Sequence, residues 1–406
     1  MSVRRSRPSR ASLMIACLLA CLPACTAAVA GCGAGQAGQQ TLSAVTIAAQ
    51  PQLSVPVTSS AGTWAVVPMG TSGTNLFWEL FLRPAGTARW ALVTPPGVAD
   101  NGGLVAAVGG GLSLTAGFRP SQHLSFSPLA ATADGGRSWS ALPGVLPGGF
   151  AADPDALAAG PGGRLLGLTA ADGGTLYSSA DGGGRWTELI VAPSLASEPA
   201  AQACRVSALT AVTVTASGTP LAGAACGRPG AAGIFSFARS SWQPAGPALP
   251  PSLHADTVRV LRLTTTQAGT AAVLAASANG GNYVVGAWAR AGPPGSPGQH
   301  WTLTAPLATG TAQVLTAGPG PGGEIYVLLR STGAGRLEMC QTPGSRWQCF
   351  PAVPSRTVTI VPGPAGQAEA LAVHGSQLTV WAAAPGHHSW TAVQTIKVGI
   401  PYGSSG

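Results

Sequence analysis

Seven tryptophans, Trp90, Trp139, Trp186, Trp242, Trp301, Trp347 and Trp390, recur at intervals of 49, 47, 56, 59, 46 and 43 residues. Each opens a short apolar stretch after a Gly, Pro or Ser turn, as in ARWALV, RSWSAL, GRWTEL, SSWQPA, QHWTLT, SRWQCF and HSWTAV. Between these markers the apolar period is two rather than 3.6, and breakers are frequent, so the intervening segments read as strands. VRVLRLTTT, AAVLAAS, NYVVGAWA and HWTLT form one such set of four; QVLTAG, EIYVLLR, RLEMC and RWQCF form another. The first set shows only three, TWAVVPM, NLFWELFL and RWALV, so its fourth strand has to come from elsewhere: TIKVGIPYG (395–403) or TLSAVTIAA (41–49). Pairing the two ends of the chain in this way would close the array and remove exposed edges. The two longest intervals are assigned to turn-rich insertions, PAGPALPP (244–251) and AGPPGSPGQ (291–299).

Two of the tryptophans end a longer motif. TADGGRSW (132–139) and SADGGGRW (179–186) align without gaps, 47 residues apart. The pattern resembles the Asp-box, or BNR repeat, of sialidases and other β-propellers. Blades of four strands repeat at about 40–50 residues. The expectation is an all-β, seven-bladed β-propeller, with six or eight blades as alternatives. A β-sandwich rarely extends to about 360 residues in one domain, and a β-helix repeats at about 20–25. In the motif, Thr132 and Ser179 open a turn whose N–H groups Asp134 and Asp181 can accept. Gly136 and Gly183 take angles that a Cβ would disfavour, and Trp139 and Trp186 wedge between neighbouring blades. The resemblance implies a folding device on the face opposite the usual binding site, so these aspartates are read as structural.

The amino terminus reads as an export signal. Arg4, Arg5, Arg7 and Arg10 precede an apolar, small-residue segment that runs to Gly31. Val29-Ala30-Gly31-Cys32 resembles the lipobox of bacterial lipoproteins, which implies lipidation at Cys32 and a membrane anchor; an uncleaved leader acting as anchor and plain secretion are the alternatives. The expected layout is a signal peptide at 1–31, a lipidated Cys32 with a flexible tether at 32–50, and the propeller at 51–403. With the leader removed, 17 basic residues face 13 acidic ones, and the arginines are scattered. No nucleic-acid patch forms from them. Four cysteines remain beyond Cys32, and local pairing, Cys204–Cys226 and Cys340–Cys349, is expected in an oxidising compartment. No CxxC spacing supports zinc.

Charged residues make up only 8% of the chain, so where they collect carries weight. The strand assignment puts Asp100, Asp153, Asp155, Glu198 and Asp256 on loops entering first strands. It puts Arg119, His123, Arg228 and Arg330 on loops between second and third strands. All of these fall on the face where propellers bind ligands. Sialidase resemblance implies an arginine triad for a carboxylate, a Tyr–Glu nucleophile pair and an Asp acid/base. GFRPS (117–121) resembles the family's FRIP motif without its Ile, and no tyrosine falls on the assigned loops. No metal, cofactor or catalytic residue is assigned. The expected function is a non-enzymatic binding or scaffold module, monomeric and lipid-anchored outside the cytoplasm, for a protein or a cell-envelope glycan. The alternative is a sialidase-like glycoside hydrolase.

Overall fold

Short apolar alternations cut by Gly and Pro give many brief strands and few helices. The computed structural model describes residues 57–399 except 60, 71–76, 96–103, 110–111, 119–127, 144–149, 151–153, 229, 231, 254–255, 267–268, 291–299, 321–322, 343, 364–365 and 385–388, and except the side chains of 105, 252 and 351. All belong to the compact unit Ser43–Gly406; the leader, Cys32 and the tether lie outside the described residues.

Strands β1 (Val57–Ser59), β2 (Gly62–Met69), β3 (Phe77–Pro84) and β4 (Ala91–Leu92) form an antiparallel sheet in chain order. The next sheet holds β5 (Leu104–Val108), β6 (Leu114–Phe118), β7 (Leu129–Thr132) and β8 (Ser140–Ala141). It is followed by β9 (Ala156–Ala159), β10 (Leu165–Thr169), β11 (Thr175–Ser179) and β12 (Thr187–Val191). A nine-stranded sheet combines β13 (Val206–Val214), β14 (Pro220–Cys226), β15 (Ile234–Ala238) and β16 (Ser241–Pro244) with β17 (Thr257–Thr266), β18 (Gly269–Ala278), β19 (Gly281–Arg290), β20 (Trp301–Leu303) and β21 (Leu307–Ala308). Among the described residues its two halves are joined in strand pairing where Ala225 and Cys226 of β14 pair with Arg259 and Val258 of β17. Two further four-stranded sheets follow: β22 (Gln313–Pro319), β23 (Ile325–Arg330), β24 (Leu337–Gln341) and β25 (Gln348–Pro351), then β26 (Thr357–Pro362), β27 (Ala368–His374), β28 (Gln377–Ala383) and β29 (Thr391–Lys397).

The first sheet takes its fourth strand from Val57–Ser59, which hairpins onto β2. The tail strand β29 pairs with β28 in the last sheet. The expected closure by paired terminal strands is therefore corrected for the tail; residues 41–49 lie outside the described residues. First and last sheets meet through side chains and one isolated bridge, Gly70–Gly375. Arg83 ion-pairs with Glu369 and donates to the Pro362 carbonyl at 2.6 Å and to Thr63 Oγ1 at 3.2 Å. The Trp90 indole donates to Glu369 at 3.0 Å, and Gln394 brackets the Trp90 backbone with two 2.8 Å bonds. Burial pushes the Glu369 carboxyl up and the Arg83 guanidinium down, each partly offset by the other.

Seven buried apolar clusters occur among the described residues, each drawing on two successive four-strand segments. One joins the first segment to the second through Trp64, Leu82, Leu104 and Phe118. The series ends with one joining the last to the first through Val67, Phe81, Leu371 and Val380. Small residues in one segment receive large ones from the next: a Cβ on Gly286 would lie 2.7 Å from Ile325 Cγ1, and one on Gly223 2.8 Å from Val260 Cβ. The Ala and Gly content of the chain is thus spent on close face-to-face packing.

The tryptophans hold equivalent places. All seven immediately precede or sit within the fourth strand of their segment. The Trp139, Trp301 and Trp347 indoles donate to carbonyls just past the fourth strand of the preceding segment: Val93 (3.1 Å), Ala245 (2.7 Å) and Ala305 (2.6 Å). Trp186 instead donates to Gly183 at 3.1 Å. The longer interval before Trp242 contains two short helices, α1 (Ala192–Ser197) and α2 (Pro199–Gln202), not a turn-rich insertion. Pro193 and Pro199 stand in their first turns, where a missing N–H costs nothing. Disulfides Cys204–Cys226 and Cys340–Cys349 are both present, the second between directly paired residues of β24 and β25.

Candidate functional site

The two eight-residue motifs fold alike. Thr132 Oγ1 donates to Asp134 at 2.8 Å while accepting the Gly136 N–H at 2.9 Å; Ser179, Asp181 and Gly183 repeat these distances. Asp134 also accepts the Ser138 N–H, and Asp181 the Arg185 N–H, both at 2.9 Å. These bonds hold the Asp134 carboxyl down at about 2 and lower that of Asp181. A Cβ on Gly136 would lie 2.6 Å from Val93 Cβ, and one on Gly183 2.7 Å from Leu142 Cδ1. Each motif is thereby clamped to the segment before it, and its aspartate is occupied by its own turn.

Of the residues expected to form a binding face, Asp100, Arg119, His123 and Asp153 lie outside the described residues. Asp155 precedes β9, and its carboxylate accepts the Ala170 N–H, tying down a neighbouring loop. Asp256 precedes β17, Arg228 follows β14 and Arg330 ends β23; all three are exposed. They share the end of the sheets where first strands begin. No ion pair joins any two of the four among the described residues. Glu198 links α1 to α2 and accepts the Ala201 N–H at 2.9 Å through its carbonyl.

A different feature emerges at the centre. Each first strand packs against the first strand of the next segment: β1 on β5, β5 on β9, β9 on β13, β13 on β17, β17 on β22 and β22 on β26. Between the C-terminal halves of β5, β9, β13 and β17 lies a cavity of about 50 Å³. Apolar residues outnumber polar ones around it, Ala107 and Leu157 among them; Thr213, Thr264 and Thr265 supply hydroxyls, and among the described residues Arg262 supplies the one charge. Arg262 is 7% exposed. Its Nε donates to Thr264 Oγ1 at 3.2 Å, and no carboxylate faces it among the described residues. Burial alone lowers this guanidinium to about 10. Its placement depends on a bulge in β17, where the register to β18 shifts between Val260 and Arg262. Sequence reasoning passed over Arg262 because a strand arginine reads as a solvated edge; the available signal was that β17 alone among the inner strands carries charge, at Arg259 and Arg262.

No family model matches the chain, and no curated protein matches it. Among solved structures it is similar to a putative 6-phosphogluconolactonase from Bacteroides uniformis, at 15% identity over 83% of this chain and 97% of the other, with a TM-score of 0.50. It is also similar to YCF48 from Cyanidioschyzon merolae (16% identity, 79% and 93% covered, TM-score 0.43). A third is a protein from Lactobacillus plantarum (12% identity, 82% and 96% covered, TM-score 0.47). The lactonase-like likeness is one of fold alone.

The fold is a β-propeller. Its central cavity sits at the end of the inner strands opposite Asp155 and Asp256. At that same end the propeller carries a Tyr–Glu pair that the sequence reading did not assign: Tyr326 donates to Glu324 at 3.2 Å. Burial and the Glu324 charge both push this phenol up, away from a nucleophilic phenolate. The space beside Tyr326 is about 10 Å³, the size of one water. Glu338, Cys340 and Cys349 gather their ligand atoms within 4.8 Å, but both sulfurs are spent in the disulfide and offer no thiolate to a metal.

Proposed function

We propose that this propeller is a seven-bladed, lipid-anchored module outside the cytoplasm that binds a protein or a cell-envelope glycan and performs no chemistry on it. The observation that carries this reading is the make-up of the central cavity. A buried arginine, three threonines and apolar walls can hold and orient a ligand. They include no carboxylate, imidazole or thiol to move a proton or attack a bond. The seven clusters linking successive four-strand segments, the last returning to the first, support seven blades in a closed ring. The turn geometry of 132–139 and 179–186 supports their reading as Asp-boxes. Two disulfides favour an oxidising compartment, which agrees with the export signal and with lipidation at Cys32. Asp155, Arg228, Asp256 and Arg330 would present the partner surface at the opposite end.

The test is a panel of fluorogenic sialosides and aryl glycosides with the full-length protein in detergent, run beside binding to immobilised envelope glycans. Saturable binding without turnover is expected. Turnover abolished by Tyr326→Phe would overturn the reading in favour of a hydrolase. Fatty-acid labelling of intact cells, lost in Cys32→Ala, checks the anchor.

A further inference from the structure

The inner strands β1, β5, β9, β13, β17, β22 and β26 are almost free of charge; Arg259 and Arg262 of β17 are the exceptions. An arginine is tolerated inside a fold when its donors are met, because guanidinium cannot shed its proton at ordinary pH. The buried Arg83 meets this condition with a carboxylate, a carbonyl and a hydroxyl. Arg262 does not. Only its Nε has a protein acceptor among the described residues, and Arg262 lines the cavity. Thr264, by taking Nε, leaves the flat outer edge of the guanidinium as the part free to bind. That edge is the two-pronged donor that carboxylate geometry matches.

We propose that this cavity binds the carboxylate group of a ligand, held bidentately by Arg262. The inference rests on reading the channel as a binding site rather than a catalytic one. Charge balance favours a monoanion, because Arg262 is the sole charged residue of the wall among the described residues. Volume favours a small head group: about 50 Å³ accommodates a few water-sized groups, so the larger body of any ligand stays outside the cavity. Thr213 and Thr265 hydroxyls lie in the same wall, already linked to each other at 3.4 Å, and can turn to donate to the second face of the anion. Ala107 and Leu157 across the cavity suit an aliphatic stem. A free short-chain acid and the C-terminus of a peptide share this chemistry.

The experiment is calorimetric titration of the full-length protein in detergent, in carboxylate-free buffer at matched ionic strength. The probes are sodium propionate, tri-alanine with a free C-terminus, and tri-alanine amide. Saturable one-to-one binding of a carboxylate is expected, weakened about tenfold or more in Arg262→Gln through loss of a charged hydrogen-bond partner. In Thr264→Val the charge stays and only Nε is released; affinity should fall roughly threefold, which keeps the proposal testable if Arg262→Gln does not fold. Binding of propionate alone assigns a free acid; binding of the tripeptide acid but not its amide assigns a chain terminus; both support the site. Absence of saturable binding by either carboxylate, equal binding of the amide, or unchanged affinity in both variants would overturn it. None of these readouts involves glycoside turnover or partner capture, so failure here and failure of the binding-module reading are separable.

Discussion

Arg83 and Arg262 are both 7% exposed, both sit on strands of one propeller, and their surroundings differ completely. Arg83 spans the junction of the first and last sheets. There Glu369, Trp90, Thr63 and the Pro362 carbonyl close around it, and its guanidinium stacks 5.2 Å from the Trp90 ring. Arg262 has one threonine and a cavity. Desolvation penalises both, and for both it is the leading cause of a lowered pKa. Only for Arg83 does a carboxylate work against it. The contrast separates two uses of a buried charge: one fixes which sheets meet, while the other keeps donors available for something the chain does not itself provide.

The strongest way to break this comparison is Arg83→Met. Removing one partner of a buried pair leaves Glu369 uncompensated and is expected to cost about 3–5 kcal/mol in denaturant unfolding. A loss under about 1 kcal/mol would show the junction to be held by its apolar cluster alone. The pH dependence has a definite sign. Burial raises the folded-state pKa of Glu369, and without Arg83 it rises further. A raised carboxyl stabilises the fold below its unfolded value and loses that contribution as pH climbs through the folded one. The deficit of Arg83→Met should therefore be larger at neutral pH than under mildly acidic conditions. Replacing both partners, as in Arg83→Met with Glu369→Leu, should recover most of the loss, because paired desolvation disappears along with the attraction.

Arg262→Met sharpens the other side. Removing an uncompensated buried cation should leave the ligand-free protein equally stable or more stable by about 1–2 kcal/mol, read as an upward shift in Tm. Clear destabilisation would mean that Arg262 holds the inner ring together. The smallest effect is expected at the surface motifs. Asp134, held at about 2 against an ordinary aspartate near 3.9, stabilises the fold above its unfolded value and loses that contribution as pH falls through its folded one. Asp134→Asn should flatten the acid limb of the Tm profile and change little at neutral pH. An unchanged acid limb would remove the turn bonds as the cause.

Local signals went far with the fold. Tryptophan spacing located the fourth strand of every segment because each indole sits at or just before that strand, and those of Trp139, Trp301 and Trp347 reach back to the preceding segment. The motif at 132–139 and its copy carried their turn chemistry in adjacent residues, so their hydrogen bonds were readable in advance. The disulfide partners are 22 and 9 residues apart, close enough for local pairing to be inferred. Three features were not legible. Val57–Ser59 is too short to show alternation. The helices at 192–202 are too brief to show a period. The bulge before Arg262 leaves no mark in composition.

What the amino-acid order determined by itself was everything set by neighbours within one segment: strand period, turns, the placement of indoles and the nearby cysteine pairs. What the tertiary structure alone decided was the fate of the two buried arginines. Residues 83 and 369 lie 286 positions apart, and the wall around Arg262 is assembled from four separate first strands. Whether a charge finds a counter-charge or an empty space depends on which sheets become neighbours, and that is settled only when the segments pack together.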